Sequence, residues 1–460
     1  MKLSLYYKLL IFHIVLAIGI YVFKPLALVY FISITVFFSY KILVVSKKYK
    51  TFYVLLACAY LVGAEVFLRM NNGTVFYEAI KYLVIVFMLM GLISNSFSNK
   101  SLIYVLYILL LIPGIFVAAL TMGFDTDIRK AIAFNLSGPV CLGIVAVFCY
   151  KRTITYNQIK IVLLALLLPL ISMTVYLFLF TPNLQEVITS TESNFMTSGG
   201  FGPNQVATVL GIGMFVLATR FFMSKELFMY RFIDLVLLGV LAYRALITFS
   251  RGGVITAIIM IAVFLALYYL KVNLKTKLRI KTSLILFLIF LSFTWLYSSI
   301  QTGGFIEKRY ANQDAAGREK NDVTTGRTDL VAFEFKEFID NPFLGIGVGK
   351  VKEERLSATG IEAASHNEMS RILAEHGLLG IFAFLILLFT PLVFRLTNKT
   401  NLFFYSFYLF WLLTINHSAM RIAAPAFIYG LCLLNISYRT KKNTTVKPEN
   451  FVSESTQFNN

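Results

Sequence analysis

Apolar runs of about 20 residues follow one another along most of this 460-residue chain, and runs of that length are membrane-helix candidates. Hydropathy places about fourteen of them. Seven lie near residues 4–23, 25–45, 51–69, 76–94, 101–120, 131–150 and 160–180. Seven more lie near 204–222, 230–248, 252–270, 282–300, 377–394, 401–417 and 420–437. The first two pairs are close together, so the expected count is twelve to fourteen. Charged residues make up only 14% of the chain, against about a quarter in soluble domains. The expected fold is therefore all-α, a polytopic protein of the lipid bilayer.

The net charge of +19 resembles a nucleic-acid signal until the residues are placed. Lys and Arg cluster in short links on one side of the spans: Lys47, Lys48 and Lys50; Lys151, Arg152 and Lys160; Lys225 and Arg231. The same side holds Lys271, Lys275, Lys277, Arg279 and Lys281, then Arg395 and Lys399, then Arg439, Lys441 and Lys442. That is the pattern of cytoplasmic loops, and it puts both termini in the cytoplasm. No basic stripe interleaved with aromatics lies on a soluble domain, so nucleic acid is not an expected partner. The four cysteines, Cys58, Cys141, Cys149 and Cys432, all lie in or at the ends of apolar runs, which supports neither a disulfide framework nor a zinc site.

On this topology one long polar segment, 301–376, faces outward, and a loop of that length is usually functional. The chain divides into an N-terminal bundle (1–180), helices with outward turns (181–300), the long loop (301–376), C-terminal helices (377–437) and a disordered tail (438–460). Within the loop, Glu307 to Thr325 is charged and turn-rich, and is expected to be mobile. Gly326-Arg327 opens an amphipathic pattern, Leu330, Phe333, Phe335 and Phe338, stopped by Asn341-Pro342. Gly345-Ile346-Gly347-Val348-Gly349 follows; without a βαβ unit it reads as a turn, not a dinucleotide site. At the loop's end, Ser365 and Glu368 have capping-box spacing, which would put His366 at the first helical position. An imidazole held where water begins could do proton chemistry; equally, it could be a solvated surface histidine.

Ionisable residues in membrane helices ask for partners or functions, and here they gather at the outer ends. Glu65, Arg69, Glu78 and Lys81 could neutralise one another, Glu65 with Lys81 and Arg69 with Glu78. Arg244 and Arg251 have no acid between them, and the Gly252-Gly253 pair leaves room for an anion beside Arg251. Guanidinium suits bidentate phosphate contact. His417 and Arg421 mark another outward turn, and Asn204 with Gln205 could hydrogen-bond sugar hydroxyls. A lipid-linked sugar pyrophosphate fits phosphate, hydroxyl and acyl demands together.

Five stretches carry a resemblance: Gly199–Val206 (GGFGPNQV), Thr248–Gly253 (TFSRGG), Gly326-Arg327, Asn341–Gly349 (NPFLGIGVG) and Ser365–Gly380 (SHNEMSRILAEHGLLG). In that order the chain resembles the O-antigen ligase / O-antigen polymerase superfamily of bacterial membrane glycosyltransferases, most clearly over residues 190–395. The resemblance implies a GT-C-like inner-membrane enzyme of lipopolysaccharide or other surface-polysaccharide biosynthesis, using no cofactor and no metal. It implies transfer of a glycan from undecaprenyl pyrophosphate to an acceptor hydroxyl, on a glycan or lipid-linked acceptor, at the periplasmic face with inversion. In those terms Arg251, Arg244 and Arg69 hold the pyrophosphate and His366 is the general base. Asn367 and Glu375 shape the site, and Arg327 meets either phosphate or loop carboxylates. Ligase and polymerase stay undistinguished. A transporter of an anion, or a lipid-linked sugar flippase, is the alternative; such proteins place charges near the midplane in repeated halves, and no clear internal repeat occurs here.

Overall fold

The computed structural model describes residues 3–94, 98–123, 126–224, 228–320, 322, 326–360 and 365–438. The first seven helices are α1 (Leu3–Val22), α2 (Leu26–Val44), α3 (Lys47–Met70), α4 (Ala79–Ser94), α5 (Leu102–Thr121), α6 (Ile128–Cys149) and α7 (Tyr156–Phe180). Then come α8 (Pro203–Met223), α9 (Phe228–Ile247), α10 (Arg251–Lys271) and α11 (Leu274–Gln301). The polar loop holds α12 (Phe305–Tyr310), α13 (Arg327–Asp340) and α14 (Val351–Thr359). The chain finishes with α15 (Glu368–Thr397), α16 (Phe404–Ile415) and α17 (Ala424–Cys432). Each of the fourteen apolar runs contains a helix, and among the described residues ten helices are long and apolar enough to cross a membrane. The four that fall outside that ten are α4 and α16, which are short, α9, which carries Arg231, Asp234 and Arg244, and α17, with nine residues. Lys225, Arg439, Lys441, Lys442 and the tail expected to be disordered lie outside the described residues, apart from Tyr438.

Helices α3, α7, α8 and α17 form the centre, while α1, α2, α5 and α11 turn Ile, Leu, Val and Phe side chains outward, as lipid contact requires. Small residues bring the central helices together. A Cβ at Gly211 of α8 would stand 2.7 Å from the Gly253 carbonyl of α10, and one at Gly253 would strike the Ala207 backbone. The described sheet is two short parallel strands, β1 (Thr153–Thr155) and β2 (Asn435–Ser437), which tie the end of α17 to the start of α7.

The loop is more ordered than its composition suggests. Part of the stretch expected to be mobile forms α12, and an antiparallel bridge, Gln313 with Glu319, closes the turn after it, helped by Arg318 on Asp314 at 2.8 Å. The amphipathic helix α13 runs as expected from Arg327 to a C-cap at Asn341, but its buried residue is Glu334 while Phe335 and Ile339 are exposed.

Helix α15 is two helices joined at Gly377, whose φ of 58° and ψ of −137° suit only glycine. Breaking a helix frees backbone groups, and the Asn341–Gly349 stretch takes them up. Leu378 N–H donates to Pro342 O at 2.7 Å, and Ile346 N–H to Ala374 O at 2.9 Å. Gly347 N–H donates to Glu375 O at 3.2 Å, while Gly349 N–H meets the Glu375 carboxylate at 2.8 Å. Gly345, Gly347 and Gly349 all have positive φ, so the stretch is indeed a turn, and a Cβ at Gly347 would stand 2.5 Å from Ala118 N in α5. It is a staple holding α15 against α5.

At the head of α15 the cap differs from the capping box. Asn367 is the N-cap, its Oδ1 accepting from Met369 and Ser370 N–H at 2.9 and 3.3 Å. Ser365 Oγ instead accepts from Asn367 N–H at 3.2 Å, and Glu368 pairs with Arg371 rather than reaching back. His366 therefore precedes the helix, in the bend just before its N-cap. Gly377→Ala should cost about 1–3 kcal/mol from backbone strain, and more from the clash with Pro342 O at 2.5 Å. A lowered thermal transition of the detergent-solubilised protein checks this.

Candidate functional site

Four long helices begin around one cavity of about 390 Å³: α8 near Asn204, α10 at Arg251, α13 at Arg327 and α15 behind Asn367. Each N-terminus presents unsatisfied N–H groups and the positive end of a helix dipole, an arrangement that favours an anion. Three guanidiniums, Arg251, Arg309 and Arg327, line the same space. Burial first, then the neighbouring Arg251, holds both Arg309 and Arg327 below the usual arginine range, Arg327 adding to the effect on Arg309. The one carboxylate among the lining residues, Glu334, is already engaged: Arg355 donates to it at 2.9 Å and Ser370 Oγ at 2.5 Å. Among the described lining residues, three guanidiniums thus share the space with one carboxylate that is already bonded elsewhere.

The turn before α10 delivers Arg251. Phe249 adopts φ 57°, rare for a residue with a Cβ, and its carbonyl accepts from Arg309 Nε at 3.1 Å. Ser250 Oγ donates to Asn204 Oδ1 at 2.7 Å, and Arg251 Nη1 donates to Arg309 O at 3.3 Å. The glycine pair does not leave the room expected of it. A Cβ at Gly252 would strike the His417 ring at 2.5 Å, and Gly253 packs on α8.

His366 lines the cavity with Ser365 and Asn367. Burial, followed by Arg421, Arg327, His417 and Arg355, lowers its pKa to about 4. At neutral pH the imidazole is uncharged and can accept a proton, though it is a weak base while the cavity is empty of negative charge.

The other expected site residues divide. Asn204, Arg251, Arg327, His366 and Asn367 all line the cavity. His417 lies beneath it, its Nε2 3.3 Å from Thr208 Oγ1 and its Nδ1 2.9 Å from Leu413 O. Arg421 reaches the Ser365 carbonyl at 2.6 Å. Arg244 and Arg69 are elsewhere. Arg244 is buried over the Phe178 ring and donates to Leu177 O, with no acid partner among the described residues. Arg69 pairs with Glu65 at 2.6 Å and Glu78 at 3.7 Å, and lies 4.0 Å over the Tyr77 ring. Lys81 pairs with Glu78, not with Glu65. Gln205 is buried outside the lining, and Glu375 is bound to Arg371 at 2.5 Å.

Arg309, Glu334 and Asn416 were missed. Nothing in the sequence separates Arg309 from Lys308, Arg318 or Lys320 nearby; only the fold of α12 turns it inward.

Residues 235–385 match the family model described as O-Antigen ligase. Over that stretch the chain is similar to the O-antigen ligase family. The match supports the O-antigen ligase / polymerase superfamily and a glycan-transfer function in O-antigen biosynthesis, in a multi-pass membrane protein. No curated protein matches the chain. The matched O-antigen ligase segment runs from α9 into α15 and holds Arg251, Arg309, Arg327, Glu334, His366 and Asn367; Asn204 and Asn416 come from outside it.

If the three guanidiniums share one anion, Arg309→Gln should weaken inorganic pyrophosphate binding about tenfold or more, the scale of one charge-assisted hydrogen bond. Calorimetric titration in nanodiscs reads this.

Proposed function

We propose that the protein transfers a glycan from undecaprenyl pyrophosphate to an acceptor hydroxyl at the periplasmic face of the inner membrane. The observation that carries the reading is the shared cavity: three guanidiniums and four helix N-termini around one neutral imidazole. Arg251, Arg309 and Arg327 bind the pyrophosphate and offset the charge that grows on it as it leaves. The acceptor oxygen attacks the anomeric carbon from the opposite side, the bond from that carbon to the pyrophosphate oxygen breaks, and configuration inverts. The hydroxyl proton passes to a ring nitrogen of His366. The leaving lipid pyrophosphate keeps the bonding electron pair. Charge neutralisation by arginine gives this route no need of a metal. Asn204, Asn367 and Asn416 supply amides for sugar hydroxyls.

Glu334 is the other group in the cavity able to act as a base. Its oxygens already accept from Arg355 and Ser370, which favours His366 for the proton and a structural part for Glu334. A transporter finds less support, since the intramembrane charges Glu65, Arg69, Glu78 and Lys81 are closed on one another.

The bound pyrophosphate cancels part of the cationic field around His366, so the pKa rises from about 4 on binding. The acid limb of kcat should therefore lie above that of kcat/KM; coincident limbs would remove the electrostatic coupling. His366→Ala should abolish transfer in a complementation assay while the protein remains inserted, and Arg251→Lys should be markedly impaired because a planar fork is lost. Glycan gels of a deletion strain assign the acceptor: a single repeat marks a polymerase, glycan stranded on carrier lipid marks a ligase.

A further inference from the structure

The turn joining α16 to α17, residues 416–423, has no regular secondary structure, and Ala419 within it holds φ 52°. It is fixed from three helices. Glu65 Oε2 of α3 accepts from Ala423 N–H at 2.7 Å, and Arg69 Nη1 of the same helix donates to Arg421 O at 3.0 Å. Glu368 Oε2 of α15 accepts from Met420 N–H at 3.3 Å, while Asn204 Nδ2 of α8 reaches His417 O at 3.5 Å. Arg421 then donates from Nη2 to the carbonyl of Ser365, the residue before His366, at 2.6 Å.

This chain of contacts gives the charge cluster near residues 65–81 a purpose other than self-neutralisation. Arg69 is paired on its side by Glu65, yet it also spends a donor on a peptide carbonyl more than three hundred residues away in sequence. Glu65 does the same with a peptide N–H. Both are almost wholly buried, where an unmet polar group is costly, so these contacts select one position of the turn.

We infer that Arg421 is a positioning residue for His366, holding the loop that carries the imidazole through Ser365, and that Glu65 and Arg69 hold Arg421 in place. The inference rests on His366 being the base only for its effect on rate; the placement itself is readable without catalysis. The charged and titratable groups facing the imidazole are Arg421 and His417 from the turn, Arg327 from α13 and Arg355 from α14.

The test compares wild type with Arg421→Gln, Arg421→Lys and Arg69→Lys in nanodiscs. Each is followed by histidine-labelled NMR titration and by donor kinetics. Arg421→Gln should raise the His366 titration midpoint from about 4, since one cation is gone, and should lower kcat about tenfold or more with donor KM within about twofold. Arg421→Lys should keep the wild-type midpoint and recover part of kcat. Arg69→Lys should lower kcat and raise the midpoint by less than Arg421→Gln does, as expected of a group acting through the position of Arg421. An unmoved midpoint in Arg421→Gln overturns the inference, as does a raised donor KM with kcat intact, which would make Arg421 a substrate contact. If the midpoint moves but His366→Ala transfers glycan normally, the placement stands and the general-base reading falls.

Discussion

The structure depends on one accounting rule: within hydrocarbon, each backbone N–H and C=O that leaves a helix must find a partner inside the protein. The rule is stretched twice near the cavity. Helix α15 breaks at Gly377, and its loose carbonyls at Ala374 and Glu375 are met by N–H groups of Ile346 and Gly347. The turn at 416–423 interrupts what would otherwise be one long hairpin, and its peptide groups are met by Glu65, Arg69, Asn204 and Glu368. Irregular backbone persists in hydrocarbon only where it lines a cavity or is enclosed by protein: the break at Gly377 is enclosed by Pro342 and Phe343, and the turn at 416–423 reaches the cavity through Asn416.

Electrostatics follow from that geometry. Helices that begin around the cavity present N-terminal N–H groups to the space between them, and three arginines add full charges. Like charges held together by the fold stay there because burial, helix packing and hydrogen bonds to carbonyls fix them. Arg309 is held on Phe249 O and Arg251 on Arg309 O. On the proposed reading, the pyrophosphate of the donor relieves that repulsion. Burial first, and then the cationic field, keeps His366 uncharged, and neutrality is the form a proton acceptor needs.

The outline of this fold was legible because hydrophobic length is a local signal. Ten long helices among the described residues follow it, shorter or more charged helices fill the other four runs, and the amphipathic stretch from Arg327 is helical too. Local glycine chemistry also marked Gly345–Gly349 as a turn, though its partner, the break at Gly377, lies beyond any local pattern. Side-chain partnerships were harder. The pairing of Arg69 with Glu65 is an i, i+4 contact along one helix, and the hairpin geometry expected to join Glu65 with Lys81 did not form. Arg244 and Arg251 share a neighbourhood in sequence, yet the turn at Phe249 separates them: Arg244 packs on Phe178 while Arg251 faces the cavity. The capping box failed for a related reason: Asn367, two residues on, takes the N-cap place by accepting from Met369 and Ser370 N–H, so the helix begins at Glu368.

The clamp on residues 416–423 also bears on how the molecule is made. Nearly every group lining the cavity has been synthesised by the time α15 leaves the ribosome; the exception is Asn416. The segment that braces Ser365 from below has not. A nascent chain at that stage holds its arginines in the membrane with an unsupported imidazole, and only insertion of the final hairpin, docking onto a helix translated some three hundred and fifty residues earlier, completes the machinery. On the proposed reading, the site is complete only once α16, α17 and the turn between them have docked on α3.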